Sequence, residues 1–496
     1  MGDEEGYGAA VSAEPAEEIS AGEARFERWR RAAGRWGALP LGVLVWLLGD
    51  DSPAQRLAGL MTCTAVLWIS EAIPVAVTAL LAAASTVVLG LTTPKEAFAS
   101  FGHPLLFLFV GSFFLAEAMN LHGLGERFAR ALTRLARGRL GLMMALSGAA
   151  FVISLWISNT AATAVTLPVA LSVARGEADK RFGAALVLSI AYGASVGGIA
   201  TPIGTPPNLI GIGALQKAGI SLGFLEWMAI GLPIALVMLL VLWVLLAWRF
   251  GLTLGSGGAQ VAAPARPWSR GEVAVAVAFA VAVVLWLTPG VLEVAAPGSA
   301  ATRWYKRHLP EEVVALLAAG LLFMWPIGPG SAGEATRALS WAQAVRIDWG
   351  TILLFGGGIL LGDLAGKTGL AARWGDVLVD ATGARSLWSI TALVTGVSIL
   401  LSEATNNTAT ATLMLPLTLS LAAAAGVPPG PPALGATLGA SFGFMLPIST
   451  APNAMAYGTG QVTVRQMLRT GVMFDVVGFG IIVGGLRVLC PLLGLA

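Results

Sequence analysis

Two short stretches hold the polar side chains best placed to do chemistry: ISLWISNTAATA around Asn159 and LLSEATNNTATA around Asn407, each inside a long apolar run. A second pair, TPIGTPPN at 201–208 and PISTAPN at 447–453, adds hydroxyls, prolines and a further Asn. Across 141–173, 182–216, 386–426 and 431–463 there is no Lys, Arg or His and one acid, Glu403. A site there can offer only hydroxyls, carboxamides, backbone groups and helix ends. Hydroxyl and carbonyl oxygens suit hard cations, and interrupted helices expose C-terminal carbonyls for Na⁺ and N-terminal N–H groups for anions. An anion held at bilayer depth without a basic side chain needs bound cations for charge balance. The pattern therefore points to anion transport coupled to sodium. A membrane hydrolase using Ser158 or Ser402 would need a His or Lys base nearby, and these segments supply none. Glu403 has two readings: an acceptor for hairpin N–H groups, which we prefer, or a proton relay.

The elements that position these residues must lie in a membrane. Of 496 residues, 56% are hydrophobic and 12% charged, with a mean hydropathy of +0.78, too little polar surface to cover a soluble core. Many of the 62 glycines and 26 prolines fall inside apolar stretches, where they favour broken helices over simple anchors. Cys63 and Cys490 lack metal-type spacing and read as core. The net charge of +2 is spread over segment ends, which marks topology and not a nucleic-acid face.

Residues 1–35 read as a disordered cytoplasmic tail, beginning with seven acids in 24 residues and ending in the Arg-rich RFERWRRAAGR. Apolar stretches long enough to cross, about 20 residues each, lie at 36–50, 54–72, 74–92, 103–121, 182–216, 224–249, 271–290, 310–326, 349–366, 431–459 and 466–490. Two others, 140–173 and 386–426, are two short helices long with Asn-Thr at the middle, and read as re-entrant hairpins. Four crossings from a cytoplasmic N-terminus end at the basic 123–139, and a hairpin returns the chain to ARGEADKR on the same side; a simple crossing would put these basic segments on opposite faces. The stretches 123–139 and 367–384 read as helices along the interface.

Internal repetition sharpens this. Asn159 and Asn407 are 248 residues apart, Asn208 and Asn453 245, Gly123 and Gly369 246. FVGSFFLAEAMNLHGL at 109–124 aligns with FGGGILLGDLAGKTGL at 355–370, placing Glu117 opposite Asp363. A half with five crossings and one hairpin makes the second half start from the other side, so the repeat is inverted. The expected organisation is an extra first helix at 36–53, a first repeat at 54–250 with its hairpin at 140–173 and broken helix at 182–216, a cytoplasmic linker at 251–270, and a second repeat at 271–496 with its hairpin at 386–426 and broken helix at 431–459. One Ser-Asn-Thr alone would read as interhelical glue worth about 1 kcal/mol; duplication with a matching break raises it to a site.

Ser-Asn-Thr at 158–160, Asn-Asn-Thr at 406–408, GTPPN at 204–208 and STAPN at 449–453 resemble the divalent anion sodium symporter family over about residues 36–496. The resemblance implies an all-α polytopic protein of about 11 transmembrane helices plus two re-entrant hairpins. It also implies a homodimer in the bacterial inner membrane, its N-terminus cytoplasmic and its C-terminus periplasmic or extracellular. Each protomer would join a scaffold to a transport domain that moves as an elevator, importing dicarboxylates such as succinate or malate with Na⁺. By the same resemblance, Ser154, Ser158, Asn159 and Gly204 form the first sodium site, and Ser402, Thr405, Asn407 and Ser449 the second. Substrate carboxylates would meet Ser158, Asn159, Thr160, Thr205, Pro206, Asn406, Asn407, Thr408 and Thr450. Asn406 stands where the family has Ser, Ser449 where Gly or Ala is expected, and Ala451 in place of one Pro. Relatives that exchange dicarboxylates without sodium carry a basic or imidazole group near these sites; none is visible here, which favours symport.

Overall fold

The computed structural model describes residues 21–134, 136–174, 179–253, 267–329 and 335–496, and nearly all of them lie in helices. Each stretch expected to cross contains helix: Ala21–Leu47, Pro53–Ser70, Val75–Val88, Pro104–His122, Lys180–Gly198 with Pro206–Lys217, Phe224–Phe250, Arg270–Ala295, Glu311–Met324, Trp349–Lys367, Gly430–Ala440 with Ala451–Gly458, and Val464–Leu492. Among the described residues, six segments are long and apolar enough by themselves to cross a membrane: Pro94–His122, Phe224–Phe250, Arg270–Ala295, Trp349–Lys367, Leu387–Ala404 and Val464–Leu492. One of these, Leu387–Ala404, is an arm of the second expected hairpin. A two-stranded antiparallel ribbon, Pro326–Pro329 with Ala335–Arg337, departs from the helical pattern where Pro and Gly forbid a helix.

Helix ends follow local chemistry. Ser269 and Glu272 form a capping box at the start of Arg270–Ala295, and Thr463 and Gln466 form another before Val464–Leu492. The repeat landmark Gly123/Gly369 has a backbone cause: both adopt left-handed angles, φ 69° and 78°, and separate a long helix from the short ones at Leu124–Thr133 and Leu370–Thr382. The first of these short helices is anchored by Arg127, which donates to Glu272 at 3.0 and 2.9 Å and lies 4.5 Å over the Trp268 ring.

The N-terminal boundary moves. The first helix starts at Ala21, so 21–35 are helical and not tail; residues 1–20 lie outside the described residues, as do 254–266 of the expected linker. The helix runs on because it has a partner: Ala21–Leu47 packs along Pro53–Ser70. Gly42 makes the close approach, since a Cβ there would meet Gly59 O at 2.7 Å. In the loop between the two helices Arg56 donates to Asp51 at 2.8 and 2.7 Å, and this fork holds the Asp51 carboxyl below the usual carboxylate range.

The apolar core has two parts. The larger runs through both hairpins, both broken helices and Phe224–Phe250. The smaller joins Leu57, Trp68, Ala79, Leu354 and Leu361 to Ala409, just past the second Asn-Thr. Hairpins and breaks thus share one packed body, which the N-terminal helices touch chiefly through the smaller cluster.

Candidate functional site

Each expected hairpin is a pair of packed helices joined by a short turn: Gly138–Ser154 and Asn159–Ala174, then Leu387–Ala404 and Asn407–Ala424. The turns share one internal bond. Ser154 Oγ donates to Asn159 Oδ1 at 2.7 Å, and Ser402 Oγ donates to Asn407 Oδ1 at 2.9 Å. In both, a Ser at the end of the first arm fixes the carboxamide that opens the second arm, where free N–H groups and the helix dipole face the turn. Ser158 and Asn406 do the same job, since the Ala161 N–H donates to Ser158 Oγ at 3.2 Å and the Ala409 N–H to Asn406 Oδ1 at 2.8 Å. The longer Asn406 arm also leaves an NH₂ free to reach elsewhere, and it donates to Glu71 Oε1 at 3.0 Å.

The breaks are equally matched. Thr205 and Thr450 are extended, at φ −148°, ψ 143° and φ −142°, ψ 150°, and the second half-helix starts at the next residue in each. The residue before Pro206, Thr205, is held out of the helical region, whereas Ala451 before Pro452 is already the first helical residue, a position where a following Pro is tolerated. Asn208 Nδ2 donates to Gly198 O and Thr201 O at 2.8 and 2.7 Å; Asn453 Nδ2 donates to Gly443 O and Leu446 O at 2.8 and 3.0 Å. Each Asn closes its break by binding the carbonyls the interruption frees, and each keeps a buried Oδ1 without a partner. These two Asn served as repeat landmarks; their role in holding the site was missed. The signal was their position three residues after Thr205 and Thr450, facing freed carbonyls that must find donors.

Carbonyl oxygens gather around Gly204. A Cβ there would lie 2.6 Å from Gly198 O and 2.8 Å from Ser154 O, so the glycine keeps open a small oxygen-lined space beside Ser154 and Asn159. Gly198, absent from the expected site, belongs to it: a Cβ on Gly198 would run into the Asn159 carboxamide. The second cradle is looser, with Ser449 Cβ, Thr450 Cγ2 and Ser402 O at 3.1, 3.3 and 3.4 Å from a Cβ on Gly443. The backbone oxygens that converge on Gly204 at a helix interruption fit a hard monovalent cation, whereas carbons line more of the second cradle.

Glu403 distinguishes the halves. It accepts from the Met445 and Leu446 N–H groups at 2.7 and 3.3 Å and from Ser449 Oγ at 2.9 Å. It is an acceptor for N–H groups, as preferred, but the donors come from the second break and not from its own hairpin. This accounts for the unexpected Ser449, whose single hydroxyl proton lies between two acceptors, Glu403 Oε2 at 2.9 Å and Leu446 O at 2.6 Å. In the first half Thr201 Oγ1 donates to Leu155 O, tying tip to break without a charge. Asp475, on Val464–Leu492, was also missed: it is 2% exposed, lies against Glu403 and the Phe444 backbone, and neither carboxyl oxygen makes a hydrogen bond of good geometry. No periodicity marks a lone acid that faces a neighbour distant in sequence.

The remaining expected residues fall into place unevenly. Ser158 and Thr160 are exposed, Asn159 and Thr205 buried, and Pro206, Asn406, Asn407, Thr408 and Thr450 half-buried. Thr405 Oγ1 lies 2.6 Å from Thr410 Oγ1 and donates to Leu401 O at 2.9 Å. Among the described residues no side-chain hydrogen bond joins one tip to the other. The halves interlock instead: Asn159–Ala174 packs on Ala451–Gly458 of the second break, and Asn407–Ala424 on Pro206–Lys217 of the first. Each hairpin's second arm is therefore seated on the other half's break.

Paired interrupted helices crossed inside a helical membrane body are the build of a secondary transporter. A family model described as the sodium:sulfate symporter transmembrane region matches residues 40–495, and the chain belongs to that family, the divalent anion sodium symporters. It is 32% identical over 446 residues to an uncharacterized transporter of Haemophilus influenzae, covering 88% of this chain and 92% of that one. It is 31% identical over 441 residues to the sodium-dependent dicarboxylate transporter SdcS of Staphylococcus saprophyticus, covering 84% and 82%. To SdcS of Staphylococcus aureus (strain USA300) it is 30% identical over 485 residues, covering 91% and 90%. The fold is similar to the crystal structure of the Alcanivorax borkumensis YdaH transporter, with a TM-score of 0.56 and 13% identity over 94% of this chain and 98% of that one.

Proposed function

We propose that this protein imports a C4-dicarboxylate, such as succinate, malate or fumarate, together with Na⁺ across the bacterial inner membrane. The observation that carries the reading is the matched pair of tips and breaks: Ser154–Asn159 beside the Gly204 cradle, and Ser402–Asn407 beside Ser449. The names of the staphylococcal relatives support the substrate class and the coupling ion.

In this mechanism Na⁺ binds first, one ion among Ser154, Ser158, Asn159 and Gly204 and one among Ser402, Thr405, Asn407 and Ser449. Each ion draws the carboxamide and carbonyl oxygens together and so orders its tip. The dianion then bridges the tips, taking donors from Ser158, Asn159, Thr160, Asn406, Asn407 and Thr408 and from the breaks at Thr205, Pro206 and Thr450. Two cations offset its charge, as bilayer depth requires. The loaded hairpins and breaks cross as one packed body against a scaffold, an elevator step within each protomer of a homodimer. The N-terminus is cytoplasmic and the C-terminus opposite, following the Arg-rich start of the chain.

Uptake of labelled succinate into proteoliposomes, with and without a sodium gradient, tests this. Saturable Na⁺ dependence is expected, lost in both Asn159→Ala and Asn407→Ala; undiminished uptake in choline buffer sinks it. The family's description as sodium:sulfate symporters favours a second substrate, sulfate, and competition by succinate, sulfate and citrate separates these.

A further inference from the structure

Glu71 sits outside every motif discussed above. It caps the C-terminus of Pro53–Ser70 at φ 48°, ψ 36°, and among the described residues every other positive φ belongs to glycine. A glycine would adopt that conformation without steric penalty, so this position carries a side chain at the expense of backbone ease. The carboxylate is in use. It accepts from Arg30 Nη2 at 3.2 Å on one side and from Asn406 Nδ2 at 3.0 Å on the other, while Arg30 Nη1 donates to Ile69 O at 3.4 Å. Among the described residues nothing in the first half corresponds to this link, because Ser158 has no NH₂ to offer. Arg30 and Glu71 line a cavity of about 590 Å³ with Thr450, Ile448 and Tyr457, and Asn406 reaches Glu71 from the tip.

We infer that Glu71, braced by Arg30, is a positioning residue that latches the second tip to the N-terminal helix pair in this access state, and that transport requires the Glu71–Asn406 bond to break. This rests on the transport reading above. Among the described residues, the N-terminal pair and the tip meet through the small cluster that holds Leu57, Trp68 and Ala409 and through this polar link. A charge-assisted bond is directional and short-ranged, so a displacement of the tip by a few ångströms removes it entirely. Such a bond biases a two-state equilibrium through Glu71, which is no part of the anion or sodium sites. It also gives the Asn406 departure a purpose: the carboxamide keeps the cap that Ser would make and adds the latch.

The test uses the full chain in proteoliposomes, with Cys63→Ser and Cys490→Ala as background and Ile448→Cys as a reporter in the cavity. Alkylation of the reporter by a membrane-impermeant maleimide reads the access state without any transport. Glu71→Ala and Asn406→Ser should each change the alkylation rate about tenfold to a hundredfold, the effect of losing one hydrogen bond to a charged group, and the double variant should change it no further. Glu71→Gln, which keeps an acceptor and the fold, should lie between. Turnover should follow the access shift in Glu71→Ala, with the Na⁺ concentration dependence unmoved. Equal alkylation in wild type and Glu71→Ala, or additive effects in the double variant, overturns the latch. Absence of anion uptake by wild type would instead overturn the transport reading, and the alkylation result would stand apart from it.

Discussion

Gly204→Ala should separate the first sodium site from the fold around it. Gly204 is not among the residues with positive φ, so alanine suits its backbone and any effect comes from space. A Cβ would lie 2.6 Å from Gly198 O and 2.8 Å from Ser154 O, short of an ordinary carbon–oxygen contact of about 3.4 Å by roughly 0.8 and 0.6 Å. Both neighbours are backbone, one at a helix end and one in the hairpin turn, and neither can rotate away. Overpacking of this kind costs about 1–3 kcal/mol, and the displaced atoms are the oxygens that would hold the ion. The apparent Na⁺ affinity should therefore fall about tenfold to a hundredfold, since 1.4 kcal/mol is a factor of ten. Gly443→Ala meets its neighbours at 3.1–3.4 Å and should lower affinity only about threefold. Gly320→Ala, with nothing within 4 Å, is the silent control. Sodium titrations of succinate uptake read the affinity, and sodium-dependent thermal stabilisation in detergent reads it without transport. A Gly204→Ala protein with the wild-type sodium curve in both assays would refute the cradle.

Other outcomes follow from the same geometry. Asn208→Ala and Asn453→Ala each remove two hydrogen bonds that close a break and should cost about 1–3 kcal/mol each, read as a lower Tm; equal Tm values would mean that water replaces the carboxamide. Glu403→Leu strands the Met445 and Leu446 N–H groups and should lower Tm more than Glu403→Gln, which keeps one acceptor oxygen; the reverse order would contradict an acceptor role. Asp475→Asn places an N–H donor beside Glu403 where two unpartnered carboxyl oxygens now stand, so the Tm should hold or rise, whereas a fall of several degrees would reveal a partner for the charge.

Much of the site was legible because the repeat wrote it twice. The Ser–Asn bonds span five residues in each hairpin, and the Asn–carbonyl bonds span ten and seven in each break; interactions this local are carried by spacing alone. Glu403 was harder. Its type and depth marked it as an acceptor, but its donors lie 42 and 43 residues away, and no local pattern chooses between two nearby sets of N–H groups. The N-terminal boundary was misjudged for a related reason: 21–35 is too polar to order itself, and becomes helix because Pro53–Ser70 lies alongside and Glu71 receives Arg30.

By itself the amino-acid sequence determined what depends on composition and short spacing: a membrane body, helices interrupted ahead of Pro206 and Pro452, paired Asn-Thr turns, and a site built of oxygens with no basic side chain. Tertiary structure decided what depends on residues meeting across the chain. It seated each hairpin on the other half's break, set Asp475 against Glu403, and joined Asn406 to Glu71 across 335 residues. Local spacing governs which groups are left unsatisfied, since backbone chemistry is the same in every helix. Which partner satisfies them is settled only by packing, because a hydrogen bond needs its atoms within about 3 Å, and the sequence carries no distances.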